Sequence, residues 1–194
     1  MTKIGFVRHG TTAWNIEKRA QGLSDIPLDE KGLSEAGKLA ERIGSEEWDV
    51  IYSSDLQRAK QTAEAIGKRN GNIHIHLDPR LRERSGGKIE GTTEAERIAK
   101  WGPDWRKLDV GMEKIESIVE RGSTFLEEVI RKHPGKNILI VTHGAFIKQL
   151  LWSLLPQPKK EIESIKNTSV TCLVRTDNGW DPELLNCTKH LVDS

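Results

Sequence analysis

Little in this chain offers a covalent or metal scaffold. Cysteine occurs only twice, as Cys172 and Cys187, and neither sits in a spacing that ligates zinc. A disulfide framework is therefore excluded, and a reducing, cytoplasmic setting is expected. The N-x-S/T triplets at Asn167 and Asn186 are then expected to be chance, because glycosylation needs a secretory route. An excess of either charge is missing as well: 30 basic against 29 acidic residues leave +1. That balance argues against nucleic acid as a partner. Long apolar runs are absent. The best, Leu150 to Leu155, is interrupted by Trp152-Ser153 and stops at Pro156, well short of the ~20 residues a membrane span needs. A strand-like run begins at Ile4, which is expected to leave no room for a signal peptide.

What is present is a pattern of short apolar strands, each followed by a helical stripe. Ile4 to Val7 opens the series, and a loop containing Pro27 and Gly32 comes after it. Ser34 is a candidate N-cap for a helix carrying Ala36, Leu39, Ala40 and Ile43. Trp48 to Ser54 reads as the next strand, with Asp55 the expected cap of a helix bearing Leu56, Ala59, Ala63 and Ile66. "NIHIHL" (Asn72 to Leu77) alternates with period two. His74 and His76 share one face there, an arrangement that can hold a metal, but no third ligand is evident and they are expected to face solvent. Thr93 and Glu96 form a possible capping box, and Gly102-Pro103 ends the helix it would start. A helix from about Glu116 to Lys132, a strand over Ile138 to Val141 and a helix bearing Ile147, Leu150, Leu151 and Leu154 come next. The tail reads as a hairpin turning at Asp177-Asn178-Gly179 and closing one sheet edge. This alternation predicts one α/β domain over 1–194, with a mostly parallel central sheet and helices on both faces. Residues 92–111 are the candidate for a short inserted cap.

Two of the strands end alike. "KIGFVRHGTTAWN" carries Ile4 to Val7 into Arg8-His9-Gly10, and "NILIVTHGAF" carries Ile138 to Val141 into Thr142-His143-Gly144. In a parallel sheet all strands end at one edge, where ligands bind, so His9 and His143 can meet in one crevice. Gly10 and Gly144 let the backbone turn and leave room for a ligand. Arg8 beside two imidazoles disfavours a cation; its planar, permanently charged fork suits phosphate oxygens.

The segments "VRHGTTAWN", "AQGLSDIPLDEKG", "IYSSDLQRAKQTA", "LRERSGGKIEG" and "VTHGA" resemble, in this order, those of the histidine phosphatase superfamily, on its phosphoglycerate-mutase-like branch. The resemblance runs from Lys3 to about Leu155 and implies that superfamily's fold with a short cap. It implies that His9 attacks phosphorus and becomes phosphohistidine, splitting a hydrolysis into two steps. Arg8, Arg58 and His143 would clamp the phosphoryl oxygens, with Asn15, Gln21, Gly22 and Gly144 completing the substrate site. Helix N–H groups near Arg58 would add to the clamp. Glu83 would protonate the leaving oxygen and then deprotonate the hydrolytic water. Arg82 and Arg84 are expected to point away from it by strand alternation.

No metal or cofactor enters this scheme. Thr11, Ser85 and Ile89 depart from residues common in the family, at positions outside the implied catalytic set. A cofactor-dependent mutase is the alternative, but Glu83 is followed by "RSGGKIEGTT", the cap is short, and no Arg-Arg pair occurs, so phosphatase is expected. A non-catalytic phospho-ligand adaptor, the rival of a different class, would be expected to lack one of His9, Arg8, Arg58, Glu83 or His143. All five are present. The partner expected is a small-molecule phosphomonoester. Trp14, Trp101 and Trp105 suggest an aromatic entrance and an apolar or aromatic leaving group, although the last two can equally form the cap's own core. Monomer and homodimer both fit the sequence.

Overall fold

A computed structural model describes residues 1–157 and 160–192 of the chain. Strand β1 (Lys3–Arg8) leads into a one-turn helix α1 (Ala13–Ile16), and α2 (Glu30–Ile43) is next. Then come β2 (Val50–Ser53), α3 (Gln57–Arg69), β3 (Ile75–Leu77), α4 (Glu94–Trp101), α5 (Ile115–Lys132), β4 (Asn137–Thr142) and α6 (Gly144–Leu154). The hairpin β5 (Val170–Thr176) and β6 (Gly179–Cys187) ends the fold. The strands form one sheet in the order β3-β2-β4-β1-β5-β6. Strands β3, β2, β4 and β1 are parallel, and the hairpin adds antiparallel to β1. The expected α/β architecture, mostly parallel and closed by a hairpin at one edge, is what forms.

Alternation along the strands sends side chains to both faces, and each face meets helices. On one side Ile4, Phe6, Ile138 and Ile140 pack with Ile118, Phe125 and Val129 of α5 and with Phe146, Ile147 and Leu150 of α6. On the other, Val7, Ile51, Leu139 and Val141 pack with Leu39 and Ile43 of α2 and with Ala59, Ala63 and Ile66 of α3. Buried on both faces, such strands read as apolar runs rather than alternating ones. Among the described residues, no helix is long and apolar enough to cross a membrane.

Several local expectations are corrected. Helix α2 starts at Glu30, not after Ser34, because Asp29 caps it: its Oδ1 accepts the Gly32 N–H at 2.7 Å. Asp55 does not cap α3. The Arg82 guanidinium occupies both its oxygens at 2.7 and 2.6 Å, and Asp25, from a distant loop, accepts the Gln57 N–H at 2.7 Å instead. The β3 strand covers only Ile75–Leu77. The Glu83 segment is no strand but a 3-10 turn (Pro79–Leu81) and a loop. Arg82 and Arg84 leave Glu83 because Asp55 and the Glu113 carbonyl bind them, not because of pleat alternation. The capping box of Thr93 and Glu96 does form at the start of α4.

At the centre of the sheet Gly5 is a packing necessity. A Cβ there would lie 2.4 Å from the Trp48 ring and 2.9 Å from Leu139 Cδ1. Gly5→Ala is therefore expected to destabilise the fold by ~1–3 kcal/mol through overpacking, read from the urea midpoint at unchanged m-value.

Candidate active site

The β1–β4 pairing sets the site. Arg8 lies opposite Thr142 in parallel register, so the next residues on each strand, His9 and His143, leave the sheet side by side. The His9 N–H donates to the Thr142 carbonyl at 3.0 Å. The two imidazoles are buried, with ring centroids 5.2 Å apart and planes at 58°. His9 Nδ1 lies 2.7 Å from the Gly10 carbonyl. A carbonyl only accepts, so the Nδ1 must carry the hydrogen and Nε2 keeps its lone pair. His143 Nε2 meets Ser54 Oγ, just beyond β2, at 2.8 Å.

Both rings are held far below the ordinary histidine range. Burial is the main cause for each; Arg8 and Arg58 add to it at His9, and Arg58, His9 and Arg8 at His143. Two guanidinia surround them. Arg58 occupies the first turn of α3 with no exposed surface. Its Nη1 and Nη2 donate to the Ser24 and Gly22 carbonyls at 2.6 and 2.7 Å. The Gly22 backbone is left-handed (φ 51°), and a Cβ there would strike the Glu90 carboxylate, which is why glycine is needed at this turn. Burial pushes Arg58 down to about 10 and lowers Arg8 too, against the pull of Glu83 on both. Nε of Arg8, Nε of Arg58 and Nδ1 of His143 are buried and have no hydrogen-bond partner among the described residues. Buried donors of this kind are rare and costly. Gathered with two arginines whose charge is only partly balanced, they define an anion site.

Glu83 closes the crevice from the other side. Its oxygens accept the Ala145 and Phe146 N–H groups, in the first turn of α6, at 3.1 and 2.9 Å, and the Arg84 N–H at 2.8 Å. The positive end of a helix thus holds the carboxylate. Arg121 of α5 fixes the loop by donating to the Arg80, Arg82 and Glu83 carbonyls. Gly144 sits under Arg8, where a Cβ would approach Nε to 3.2 Å.

Asn15 and Gln21 are both anchored on Thr12 through their side-chain oxygens. Asn15 Oδ1 accepts from the Thr12 N–H in the α1 capping box, and Gln21 Oε1 accepts from Thr12 Oγ1. Trp105 is buried with Ile89 and Val110 in a separate small core, with Trp101 packed against it. Trp101 and Trp105 therefore belong to this small core, while Trp14, on α1, stays half-buried with its ring next to Gly91. His74 meets His76 edge to face, and His76 stacks on Tyr52. Among the described residues no cluster suits a metal.

Four contributors were not legible in the sequence. Ser54 orients His143. Thr62 accepts the Gly10 N–H at 3.1 Å. Asn167, inside a discounted glycosylation triplet, donates to the His9 carbonyl at 3.0 Å. Glu35 of α2 binds the Thr11 N–H at 2.9 Å. Ser54 and Thr62 do lie inside "IYSSDLQRAKQTA", on either side of Arg58.

The fold and crevice together define an α/β protein that places a neutral imidazole beside two guanidinia. The family model of the histidine phosphatase superfamily (branch 1) matches residues 4–188, and the chain belongs to that superfamily. It is 34% identical to phosphoglycerate mutase-like protein 4 of Arabidopsis thaliana, over 99% of this chain and 88% of that protein. It is 32% identical to a metal-independent phosphoserine phosphatase of the same plant, over 98% and 84%. A solved structure of phosphoserine phosphatase from Entamoeba histolytica, in complex with 3-phosphoglyceric acid, superposes with a TM-score of 0.84 at 31% identity, covering 99% of this chain and all of that one. These likenesses support phosphatase activity.

The neutral histidines make stability depend on pH. Unfolded imidazoles take up protons near pH 6.5, whereas the folded His9 and His143 stay neutral to lower pH. Their contribution is therefore complete above ~6.5 and is lost as pH falls below it, at about 1.4 kcal/mol per pH unit for each. His190, pushed down to about 4 by burial and Arg42, adds a smaller share because it is half exposed. Urea unfolding between pH 7.5 and 5.5 should show this slope, and His143→Gln should flatten it.

Proposed function

We propose that the chain is a metal-independent phosphomonoester hydrolase working through a phosphohistidine on His9. The observation that carries this reading is the unpartnered Nε of Arg8, Nε of Arg58 and Nδ1 of His143 around a neutral, tautomer-fixed His9. The three donors take the equatorial phosphoryl oxygens, and a dianion there balances both guanidinia. Glu83, a carboxylate in the free protein, takes up a proton as the phosphate dianion binds beside it; His9 Nε2 then attacks phosphorus as the ester P–O bond breaks, and that proton passes to the leaving oxygen. The alcohol departs. Glu83, now a carboxylate, takes a proton from water; the resulting hydroxide oxygen bonds to phosphorus and the P–N bond breaks. Phosphate leaves and His9 and Glu83 return to their starting states. Ser54, when it donates to His143 Nε2, leaves Nδ1–H as donor to the phosphoryl group. With two guanidinia supplying the positive charge, a divalent cation would be repelled from the same oxygens.

The leaving group has a place beside Glu83. A cavity of about 290 Å³ there is lined by Leu23, Arg82, Ser85, Glu113 and Arg121 among others. The charged heads of Arg82 and Arg121 and the Ser85 hydroxyl belong to this lining, and with Trp101 and Trp105 packed in a core of their own they favour a small polar phosphomonoester over an aromatic one. The names of the relatives point the same way, phosphoserine among them.

The test is phosphate release from phosphoserine and p-nitrophenyl phosphate in EDTA, with 3-phosphoglycerate alongside. Wild type should turn over with EDTA present, with phosphoserine preferred, and His9→Ala should be inactive. Glu83→Gln should lose ~10²–10⁴-fold in kcat. Conversion of 3-phosphoglycerate to 2-phosphoglycerate faster than phosphate release would replace hydrolase with mutase.

A further inference from the structure

Behind His9 runs a chain of contacts that the phosphoryl chemistry above does not use. Glu35, on the first turns of α2, is buried at 8% exposure. Its Oε2 accepts the Thr11 N–H at 2.9 Å and the Thr11 hydroxyl at 2.8 Å. The Thr11 N–H and the Gly10 carbonyl belong to one peptide bond, and that carbonyl accepts the His9 Nδ1–H at 2.7 Å. Because the peptide is trans, its N–H and C=O point in opposite directions. The carboxylate, the peptide dipole and the imidazole therefore lie head to tail.

We propose that Glu35 is a positioning and polarising residue for His9, acting through the Gly10–Thr11 peptide. A carboxylate that binds a peptide N–H draws charge toward the carbonyl oxygen, and hydrogen bonds in such a chain strengthen one another. The Gly10 carbonyl becomes a stronger acceptor, which fixes the Nδ1–H tautomer and makes Nε2 more basic toward phosphorus. It also supports the positive charge that the ring gains on becoming phosphohistidine. A carboxylate bonded straight to the imidazole would achieve this too, but would sit in the crevice and repel the phosphate. Placed one peptide away, Glu35 acts on the ring from outside the anion site.

The surrounding contacts are those of a fixed relay. The Gly10 N–H is held by Thr62 at 3.1 Å, and the His9 carbonyl accepts from Asn167 and the Thr168 N–H. Helix α2 presses on the loop so closely that a Cβ on Gly32 would lie 2.0 Å from the Thr11 carbonyl oxygen. The charged groups in reach are few. Lys31, exposed on α2, stands 3.9 Å from Glu35 Oε1. Around the ring are Arg8, Arg58, His143 and Glu83, and the Glu35 charge is felt at Arg8 as a pull against its burial.

This inference rests on His9 being the nucleophile, yet it can be read without turnover. The measurement is the His9 Nδ1 proton resonance of the free protein in wild type and Glu35→Gln, followed by the single-turnover rate of phosphohistidine formation. Gln keeps the size and one acceptor oxygen for the Thr11 N–H, and replaces the charge and the second oxygen by an NH2 group. The Nδ1 proton should move upfield in Glu35→Gln, and phosphohistidine formation should slow about tenfold, the difference between a charged and a neutral hydrogen bond, with KM little changed. An unmoved resonance with an unchanged rate would overturn the relay and leave Glu35 a structural residue. If wild type forms no phosphohistidine, the hydrolase reading fails while the resonance still decides the relay. Should the variant not fold, the wild-type Thr11 amide proton decides: it must resonate far downfield, as a donor to carboxylate does, and an ordinary amide frequency would refute the proposal.

Discussion

Everything at this site depends on the parallel, in-register pairing of β1 with β4. It aligns Arg8 with Thr142 and so delivers two histidines from 134 positions apart, 9 and 143, to one sheet edge. Hydrophobic clusters on both faces of those strands keep the edge dry, because Ile4, Val7, Ile138 and Val141 are wholly buried. Dryness sets the electrostatics of the crevice. In a medium of low polarizability an imidazole releases its proton and a guanidinium is strained toward doing so.

A buried Arg58, a partly buried Arg8 and two neutral histidines are a costly arrangement for a fold to carry. The carboxylates that could neutralise them stand back: Glu83 on the first turn of α6, Asp25 on the start of α3, and Glu35 beyond the Gly10–Thr11 peptide. None makes a direct ion pair with Arg8 or Arg58 within the described residues. An ion pair there would be more stable but would use up the free donors. The unpaired donors are thus stability withheld from the fold and made available to the bound anion, a common exchange at functional sites.

The cap contributes by what it keeps to itself. Trp105, Ile89 and Val110 form a core of their own, and Arg97 and Arg106 cover the Trp105 ring. The cavity next to Glu83 is left to Arg82, Ser85 and Arg121. None of that lining comes from the sheet, whose edge carries Arg8 and the two histidines.

The strands, the long helices, the hairpin and the meeting of His9 with His143 were legible in the sequence, because each is a local pattern or a consequence of the common edge of a parallel sheet. Arg8 at the end of β1 was equally plain. Helix starts were less so. Ser34 and Asp55 have the chemistry of caps, but Asp29 and Asp25 perform that role, since a cap is chosen by where the chain passes and by which carboxylate is already paired. Glu35 carries no sequence signal, and Ser54 and Asn167 lie in family-like stretches without a role to mark them, because their partners lie 24, 89 and 158 positions away. The sequence by itself determined which residues can do chemistry and which segments are strands, through residue type and periodicity. Tertiary structure alone decided how each is oriented, protonated and paired, because a tautomer or an unpartnered donor depends on neighbours that only folding brings within hydrogen-bond distance.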